Sequence, residues 1–265
     1  MKKFVVREEN SLKNFTDSVY AQASFAFRTL LKDREIRVNG VKVSADIPLK
    51  SGDEVAYYLT PAQESKVAFT AVYEDENVLV VDKESGVNSE AVFSALGEGY
   101  FFIHRLDRNT AGLMIFAKNA MAEEELLTAF RERSIEKVYH ALVVGRMPKQ
   151  HSVEEAYLNK DEKSSRVTIS AIRGQKIVTE YEVLEERGDC SLLKITLHTG
   201  KTHQIRAHLS YLGHPVVGDE KYGDETYNKK AHAARQKLIA KSLTLSASGK
   251  LGYLRGKIFV SEKSL

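Results

Sequence analysis

The chain has 265 residues, of which 43% are hydrophobic and 28% charged, and this ordinary globular composition excludes disordered and fibrous classes. Its single cysteine, Cys190, cannot form an internal disulfide and favours a reducing compartment. The net charge of +3 permits a polyanionic partner without requiring one. The first apolar stretch is interrupted by the charged Arg7, and the other apolar runs are short, so we predict a cytoplasmic protein with no export signal and no membrane partner.

A proline and a cluster of polar residues between Thr60 and Lys66 separate two regions with regular hydrophobic patterns. We therefore expect a small N-terminal domain over residues 1–60, a linker over 61–68 and a larger domain over 69–265.

A helix is the first element predicted in the N-terminal domain. Ser24 is suited to cap it, and Phe27, Leu30 and Leu31 share one apolar face.

A hairpin and a further strand follow the helix. In IRVNGVKV, residues 36–43, apolar and polar residues alternate around an Asn-Gly turn, whose two positions both need a positive φ. LKSGDEV, residues 49–55, then leads into a strand over 55–59. This order resembles the small RNA-binding module first known from ribosomal protein S-four, over roughly residues 10 to 60. The resemblance implies that four basic residues contact phosphates: Arg28, Lys32, Arg34 and Arg37. The alternative is that these residues form a solvated charged face.

Strands dominate the pattern of the second domain. They are predicted over residues 78–81, 112–117, 138–144, 167–169, 178–184 and 192–198. One helix begins after Asn119 and ends near Arg131, and another begins near Thr202. Because long βαβ alternation is absent, we predict an α+β fold: a mixed, largely antiparallel sheet with flanking helices, beside a small α+β N-terminal domain.

Asp107 lies in the most informative segment, HRLDRNTAG, residues 104–112, just before an apolar strand. A lone aspartate between two arginines is ordinarily an ion-pair or turn residue. The alternative is a carboxylate held at a cleft by cations and able to act as a nucleophile. The local sequence leaves both open.

Three segments in order resemble those of the RluA-type pseudouridine synthases. They are HRLDRNTAG, then KVYHALVVG at 137–145, then GKTHQIRAHL at 200–209 with GHPVVGDEKYG at 213–223. The chain departs from the family pattern at Ala111 for a usual Ser, at Lys201 for a usual Arg, and at the KESG segment, residues 83–86, for K-P-x-G. These departures are expected to affect RNA contact rather than the reaction. At position 201, lysine cannot form the two parallel hydrogen bonds of a guanidinium.

The resemblance implies a catalytic role for Asp107, which attacks the target nucleotide at either the ribose anomeric carbon or ring carbon 6. Arg206 is expected to pair with it, Tyr139 to stack on the uracil, and Arg105 to fill the space left by the extruded base. Such a rearrangement has no net redox change and implies no metal or organic cofactor.

The resemblance also implies RNA contacts from Arg108, Lys201 and His203. The expected partner is a structured RNA with exposed uridines, ribosomal RNA being favoured over transfer RNA, and no protein partner is implied.

Two other functions compete with this interpretation. The histidines between residues 198 and 214 could suggest a metal site, but no H-E-x-x-H pair occurs, and His203 and His208 are five apart, which turns them to different helix faces. The second alternative is a non-catalytic RNA-binding or ribosome assembly factor with a degenerate second domain. It predicts the loss of Asp107 or Arg206, and both are present.

Overall fold

A four-stranded sheet with two helices is formed by the N-terminal residues in the computed structural model, which describes residues 1–160, 166–246 and 249–265. The strands follow the antiparallel order β1-β6-β3-β4, and β2 pairs with β5. The elements are β1 (Lys2–Val5), β2 (Asn10–Ser11), α1 (Leu12–Val19), α2 (Ala21–Lys32), β3 (Ile36–Val38), β4 (Val41–Val43), β5 (Pro48–Leu49), β6 (Glu54–Tyr57) and α3 (Pro61–Glu64).

The hairpin prediction is confirmed, because β3 and β4 flank Asn39 and Gly40 with φ angles of 50° and 81°. The predicted cap is wrong. Ser24 lies inside α2, which begins at Ala21, and its hydroxyl donates to the Asp17 carboxylate at 2.5 Å. A buried serine inside a helix can satisfy its hydroxyl through a neighbouring side chain instead of the helix end.

The rest of the chain is built around an 11-stranded sheet, in the order β13-β12-β14-β15-β11-β16-β10-β8-β7. In addition, β17 pairs with β16 and β9 pairs with β10. Within the described ranges its pairs are antiparallel except β10 with β16, so the predicted mixed, largely antiparallel sheet with flanking helices is confirmed. The elements are β7 (Phe69–Glu74), β8 (Val78–Lys83), α4 (Ser89–Leu96), β9 (Phe101–Phe102), β10 (Ala111–Ala117), α5 (Ala120–Arg131), β11 (Ile135–Val144), β12 (His151–Lys160), β13 (Val167–Ser170), β14 (Gln175–Arg187), β15 (Cys190–Leu197), α6 (Gln204–Tyr211), α7 (Glu225–Lys230), β16 (Leu238–Leu245), a 3-10 helix (Gly249–Leu254) and β17 (Ile258–Val260).

The parallel pair brings two of the sequence motifs together. Gly112 of β10 pairs with Ala240 of β16, and a Cβ at Gly112 would lie 2.3 Å from the Ala240 carbonyl oxygen. Only glycine permits this approach. Tyr139 of β11 pairs with the same Ala240 from the other side, at a bulge between Val138 and Tyr139. One residue of β16 therefore separates the strand that follows Asp107 from the strand that carries Tyr139.

The N-terminal residues have a hydrophobic cluster of their own but also pack on the large sheet. Ala21 of α2 is 2% exposed in a cluster with Leu79, Val81 and Val87, and Phe25 packs against the same cluster. Part of the predicted linker is ordered: α3 begins with a capping box at Thr60. The two-domain division over residues 1–60 and 69–265 stays a prediction. Across the described residues, no helix has both the length and the apolar character needed to cross a bilayer.

Deletion of residues 1–66 tests that division. The deletion removes Ala21 and Phe25 from the shared cluster, so the remaining protein is expected to fold but to melt roughly 5 °C or more below the full chain. Scanning calorimetry of both proteins measures the difference. Equal melting temperatures would show that α2 contributes nothing to the large sheet, and a failure to fold would show that residues 1–60 and 69–265 are one cooperative unit.

Candidate active site

The loop that carries Asp107 is fixed by backbone and side-chain hydrogen bonds on both sides. The Ser89 hydroxyl, at the start of α4, bonds to both the amide and the carbonyl of Leu106 at 2.9 Å. The carbonyl of Asp107 accepts the Thr110 amide at 3.0 Å, and Thr110 is held by Gln236 at 2.9 Å. The backbone of Asp107 is thus fixed between a helix start and a strand start.

The KESG segment holds the same loop through further hydrogen bonds. The Gly86 amide donates to the Arg108 carbonyl at 2.8 Å, and the Ser85 hydroxyl donates to the Asn109 carbonyl at 2.9 Å. The ammonium of Lys83, which is fully buried, donates to the carbonyls of Glu84, Val87 and Arg108. Burial lowers the pKa of Lys83 to about 7, while the Asp107 carboxylate acts in the opposite direction.

Arg206 reaches Asp107 from α6. The helix begins at Gln204, whose buried side chain accepts the Lys201 amide at 3.1 Å and donates to the Thr179 hydroxyl at 3.0 Å. This anchor fixes the first turn of α6 on β14 and so fixes the direction in which Arg206 points.

The Arg206 guanidinium bridges two carboxylates. Its Nη1 donates to Asp107 at 2.8 Å, while Nε and Nη2 donate to the two oxygens of Asp219 at 2.6 and 2.9 Å. The Asp219 side chain is completely buried and the Arg206 side chain is 9% exposed, but that of Asp107 is 24% exposed. The outermost carboxylate is therefore the one that a substrate can reach.

The charges in this row stabilise one another. Burial opposes the positive charge of Arg206, but its bonds to Asp219 and Asp107 outweigh burial and raise its pKa. Burial would likewise raise the pKa of Asp219, but the bonds from Arg206 and from the amides of Lys221 and Tyr222 lower it. Both groups are charged at neutral pH.

His203 lies on the other side of Asp107, with its Nε2 3.9 Å from Oδ1. Its backbone is left-handed, with φ of 55°, immediately before α6, and its Nδ1 shares a hydrogen bond of 2.9 Å with the Tyr222 hydroxyl. That hydroxyl also accepts the Val167 amide at 2.9 Å. Burial lowers the pKa of His203, although Asp107 opposes this, so the imidazole is neutral at pH 7.

Tyr139 of β11 is close enough to Asp107 to be influenced by its charge. Burial raises its pKa, and the negative charge of Asp107 acts in the same direction, so the side chain is a neutral phenol. A neutral phenol can stack and donate a hydrogen bond, but it is a poor general base.

The other predicted RNA ligands are spread over the surface. Lys201 is exposed, and Arg105 is two-thirds exposed and pairs with Glu90 of α4 at 3.1 Å. Arg108 contacts protein instead: its guanidinium donates to the Gly86 and Ser24 carbonyls and lies 3.6 Å from Asp17. Its side chain joins α1 and α2 to the Asp107 loop, because these acceptors converge on it. The remaining four lie on the N-terminal part, three of them exposed and one half-buried: Arg28, Lys32, Arg34 and Arg37.

The sequence predicts no role for Lys83, Asp219 or Tyr222, although each lies in one of the motif segments. Their signal was position within the KESG and GHPVVGDEKYG segments. Their contacts with Arg206, His203 and the Asp107 loop arise only in the folded chain. Over residues 1–160, 166–246 and 249–265, no group of three or more acidic, histidine or cysteine side chains could hold a metal ion.

Comparisons with known proteins identify the family of this chain. The sequence profile of a family described as RNA pseudouridylate synthase matches residues 75–211, which include Asp107, Tyr139 and Arg206. The chain belongs to this family, and it is an RluA-type pseudouridine synthase, an isomerase that acts on RNA.

Two curated relatives and one solved structure show how far the likeness extends. A "Ribosomal large subunit pseudouridine synthase C" of Vibrio cholerae is 32% identical over 247 residues, which are 83% of this chain and 76% of that protein. A "Ribosomal large subunit pseudouridine synthase D" of Vibrio parahaemolyticus is 31% identical over 73% of this chain and 66% of that protein. The structure of "Human RNA Pseudouridylate Synthase Domain Containing 1" superposes with a TM-score of 0.64 at 26% identity, covering 74% of this chain and 83% of that one.

The substitution Asp219→Asn tests the buried row of charges. It removes the bidentate partner of Arg206, so we expect a loss of about 3 kcal/mol in the free energy of unfolding at pH 7. The folded-state pKa of Asp219 is lowered, so its contribution is present above its unfolded pKa and disappears as the pH falls through its folded pKa. The difference from wild type should therefore shrink below about pH 4.

Urea unfolding at pH 7 and in acid measures this difference. Asp33→Asn, at an exposed carboxylate after α2, is the matched control and should behave as wild type at both pH values. A deficit of Asp219→Asn that persists unchanged in acid would show that its cause is packing rather than charge.

Proposed function

We propose that Asp107 is the catalytic nucleophile that isomerises a uridine of ribosomal RNA. The observation that carries this proposal is the row of Asp107, Arg206 and Asp219, in which only the outermost carboxylate is accessible. A nucleophile needs a charged, oriented and reachable oxygen, and this arrangement supplies all three properties.

The chemistry needs one bond broken and one formed at the ribose anomeric carbon. The bond to ring nitrogen 1 breaks, a bond to ring carbon 5 forms, and the proton on carbon 5 leaves while nitrogen 1 takes one up. Asp107 attacks either the anomeric carbon or ring carbon 6, and in both cases Arg206 holds the carboxylate in place at 2.8 Å. The electrons balance without an oxidant or reductant.

The neighbouring side chains suit a uracil ring removed from its stack. Tyr139 presents a neutral aromatic ring within the electrostatic influence of Asp107, and His203 presents a neutral imidazole 3.9 Å from its carboxylate. The exposed Arg105 is proposed to occupy the vacated position in the RNA, and the exposed Lys201 to contact phosphate. Extrusion of a base costs a few kcal/mol and least in loops, which favours structured RNA with unpaired uridines.

Ribosomal RNA is proposed ahead of transfer RNA because relatives over most of the chain bear the name ribosomal large subunit pseudouridine synthase. The N-terminal sheet and helices are proposed as an RNA-binding module, and the cytoplasm as the location. The non-catalytic alternative is not favoured, because Asp107 and Arg206 are paired at 2.8 Å.

The substitution Asp107→Asn tests the proposal. It preserves volume but removes the charge, so we expect turnover to fall at least ~10³-fold with little change in folding or RNA affinity. Release of tritium from carbon 5 of labelled uridines in unmodified ribosomal RNA measures turnover, and Asp33→Asn serves again as the control. Activity within tenfold of wild type would exclude Asp107 as the nucleophile.

Tyr139→Phe separates stacking from hydrogen bonding by the phenol. The ring remains, so we expect RNA affinity within about twofold of wild type, with any loss confined to the single-turnover rate. Tyr139→Leu, which removes the ring, should weaken binding as well. If both variants lose affinity equally, Tyr139 does not act by stacking.

A further inference from the structure

A cleft lies between α2 and the loops next to Asp107. Its volume is about 410 Å³, within the ~300–1,000 Å³ range of pockets that take small organic groups. The residues used below line it: Phe25, Lys66, Asn109, Gly218, Glu220 and Arg235.

The cleft shares two loops with the active site. Asn109 follows Asp107 by two residues on the loop held by the KESG segment. Gly218 and Glu220 flank Asp219, which holds Arg206. The loops that position the nucleophile therefore also form walls of the cleft.

An aromatic ring and two cations give the cleft its chemical character. Phe25 is partly buried, and the Lys66 ammonium lies 4.0 Å from the centroid of its ring. Lys66 and Arg235 are exposed and have no carboxylate partner in the described part of the chain. Of the two acids in the lining, Glu84 is paired with Lys263 at 3.0 Å, which leaves Glu220 as the opposing charge.

An aromatic face beside unpaired cations is the arrangement that binds single-stranded nucleic acid, because bases stack on the ring and phosphates attract the cations. Lys66 has a flexible stem, so its ammonium can leave the ring for a phosphate when a base takes its place. Arg108 also lines the cleft, but its guanidinium donates to protein carbonyls. The other residues that the sequence predicts to contact RNA are not part of this site.

We propose that this cleft binds a single-stranded segment of the substrate RNA adjoining the target uridine, with one base on Phe25 and phosphates on Lys66 and Arg235. The proposal rests on the proposed function, since it gives the enzyme a second point of attachment that sets which unpaired uridines reach Asp107.

Binding of a fluorescein-labelled ten-nucleotide oligouridylate to the full chain, measured by anisotropy at several salt concentrations, tests the site. Lys66→Ala and Arg235→Ala should each weaken binding and reduce the slope of log affinity against log salt by about 0.7, the value for one lost phosphate contact to a single strand. Phe25→Leu keeps an apolar side chain against the large sheet but removes the stacking face, and should weaken binding at least ~5-fold with little change of slope.

Arg255→Ala is the matched control, because Arg255 is an exposed arginine outside the cleft. It should leave affinity, slope and turnover as in wild type. Cleft variants should also raise the KM for unmodified ribosomal RNA more than they lower kcat. If Phe25→Leu proves unstable, the two surface variants still decide the question.

Two results would overturn the site. One is an affinity and salt slope in Lys66→Ala and Arg235→Ala equal to those of Arg255→Ala. The other is uridine monophosphate binding as tightly as the oligonucleotide, which would indicate a mononucleotide pocket. Neither result affects the role of Asp107, because the Asp107→Asn assay tests that role alone; conversely, an active Asp107→Asn enzyme would end the proposed function without altering these binding measurements.

Discussion

The active site depends on one buried cation, Arg206, held between two carboxylates. A guanidinium that is only 9% exposed needs compensation for its lost hydration, and Asp219 supplies it through two parallel hydrogen bonds. The remaining nitrogen of the guanidinium, Nη1, donates to Asp107. The direction of the Asp107 carboxylate is thus set by an ion pair deeper in the protein as well as by its own loop.

A second constraint acts from the opposite side, through the backbone. Lys83 is buried with three carbonyl partners, one of them in the Asp107 loop, and the Gly86 amide bonds to that same Arg108 carbonyl. The Arg108 carbonyl of the loop is therefore held by the Lys83 ammonium of β8 and by the Gly86 amide, while the Asp107 side chain is held by Arg206 of α6.

The N-terminal residues are more than an appended module. Asp17 and Ser24 contact Arg108, one residue after Asp107, and Ala21 is part of the core of the large sheet. A change in how α1 and α2 pack would therefore change the position of the Asp107 loop. Arg108 therefore links the two N-terminal helices to the Asp107 loop.

The sequence by itself named Asp107, Tyr139 and Arg206 as site residues. It also predicted the hairpin, the mixed, largely antiparallel sheet, the helix after Asn119 and the family. Local signals suffice for these, since the Asn39–Gly40 turn, the Asn119 cap and the strand periodicities each depend on neighbours in the chain. Ser24 failed as a cap because its partner, Asp17, comes from a different helix.

Only the tertiary structure decided how distant segments cooperate. The pairing of Arg206 with Asp219, the support of the Asp107 loop by Lys83, and the use of Arg108 to join two parts of the chain are contacts between residues far apart in sequence or buried together by packing. A side chain's charge can be read from its type, but its partners depend on which surfaces the fold brings within hydrogen-bond distance.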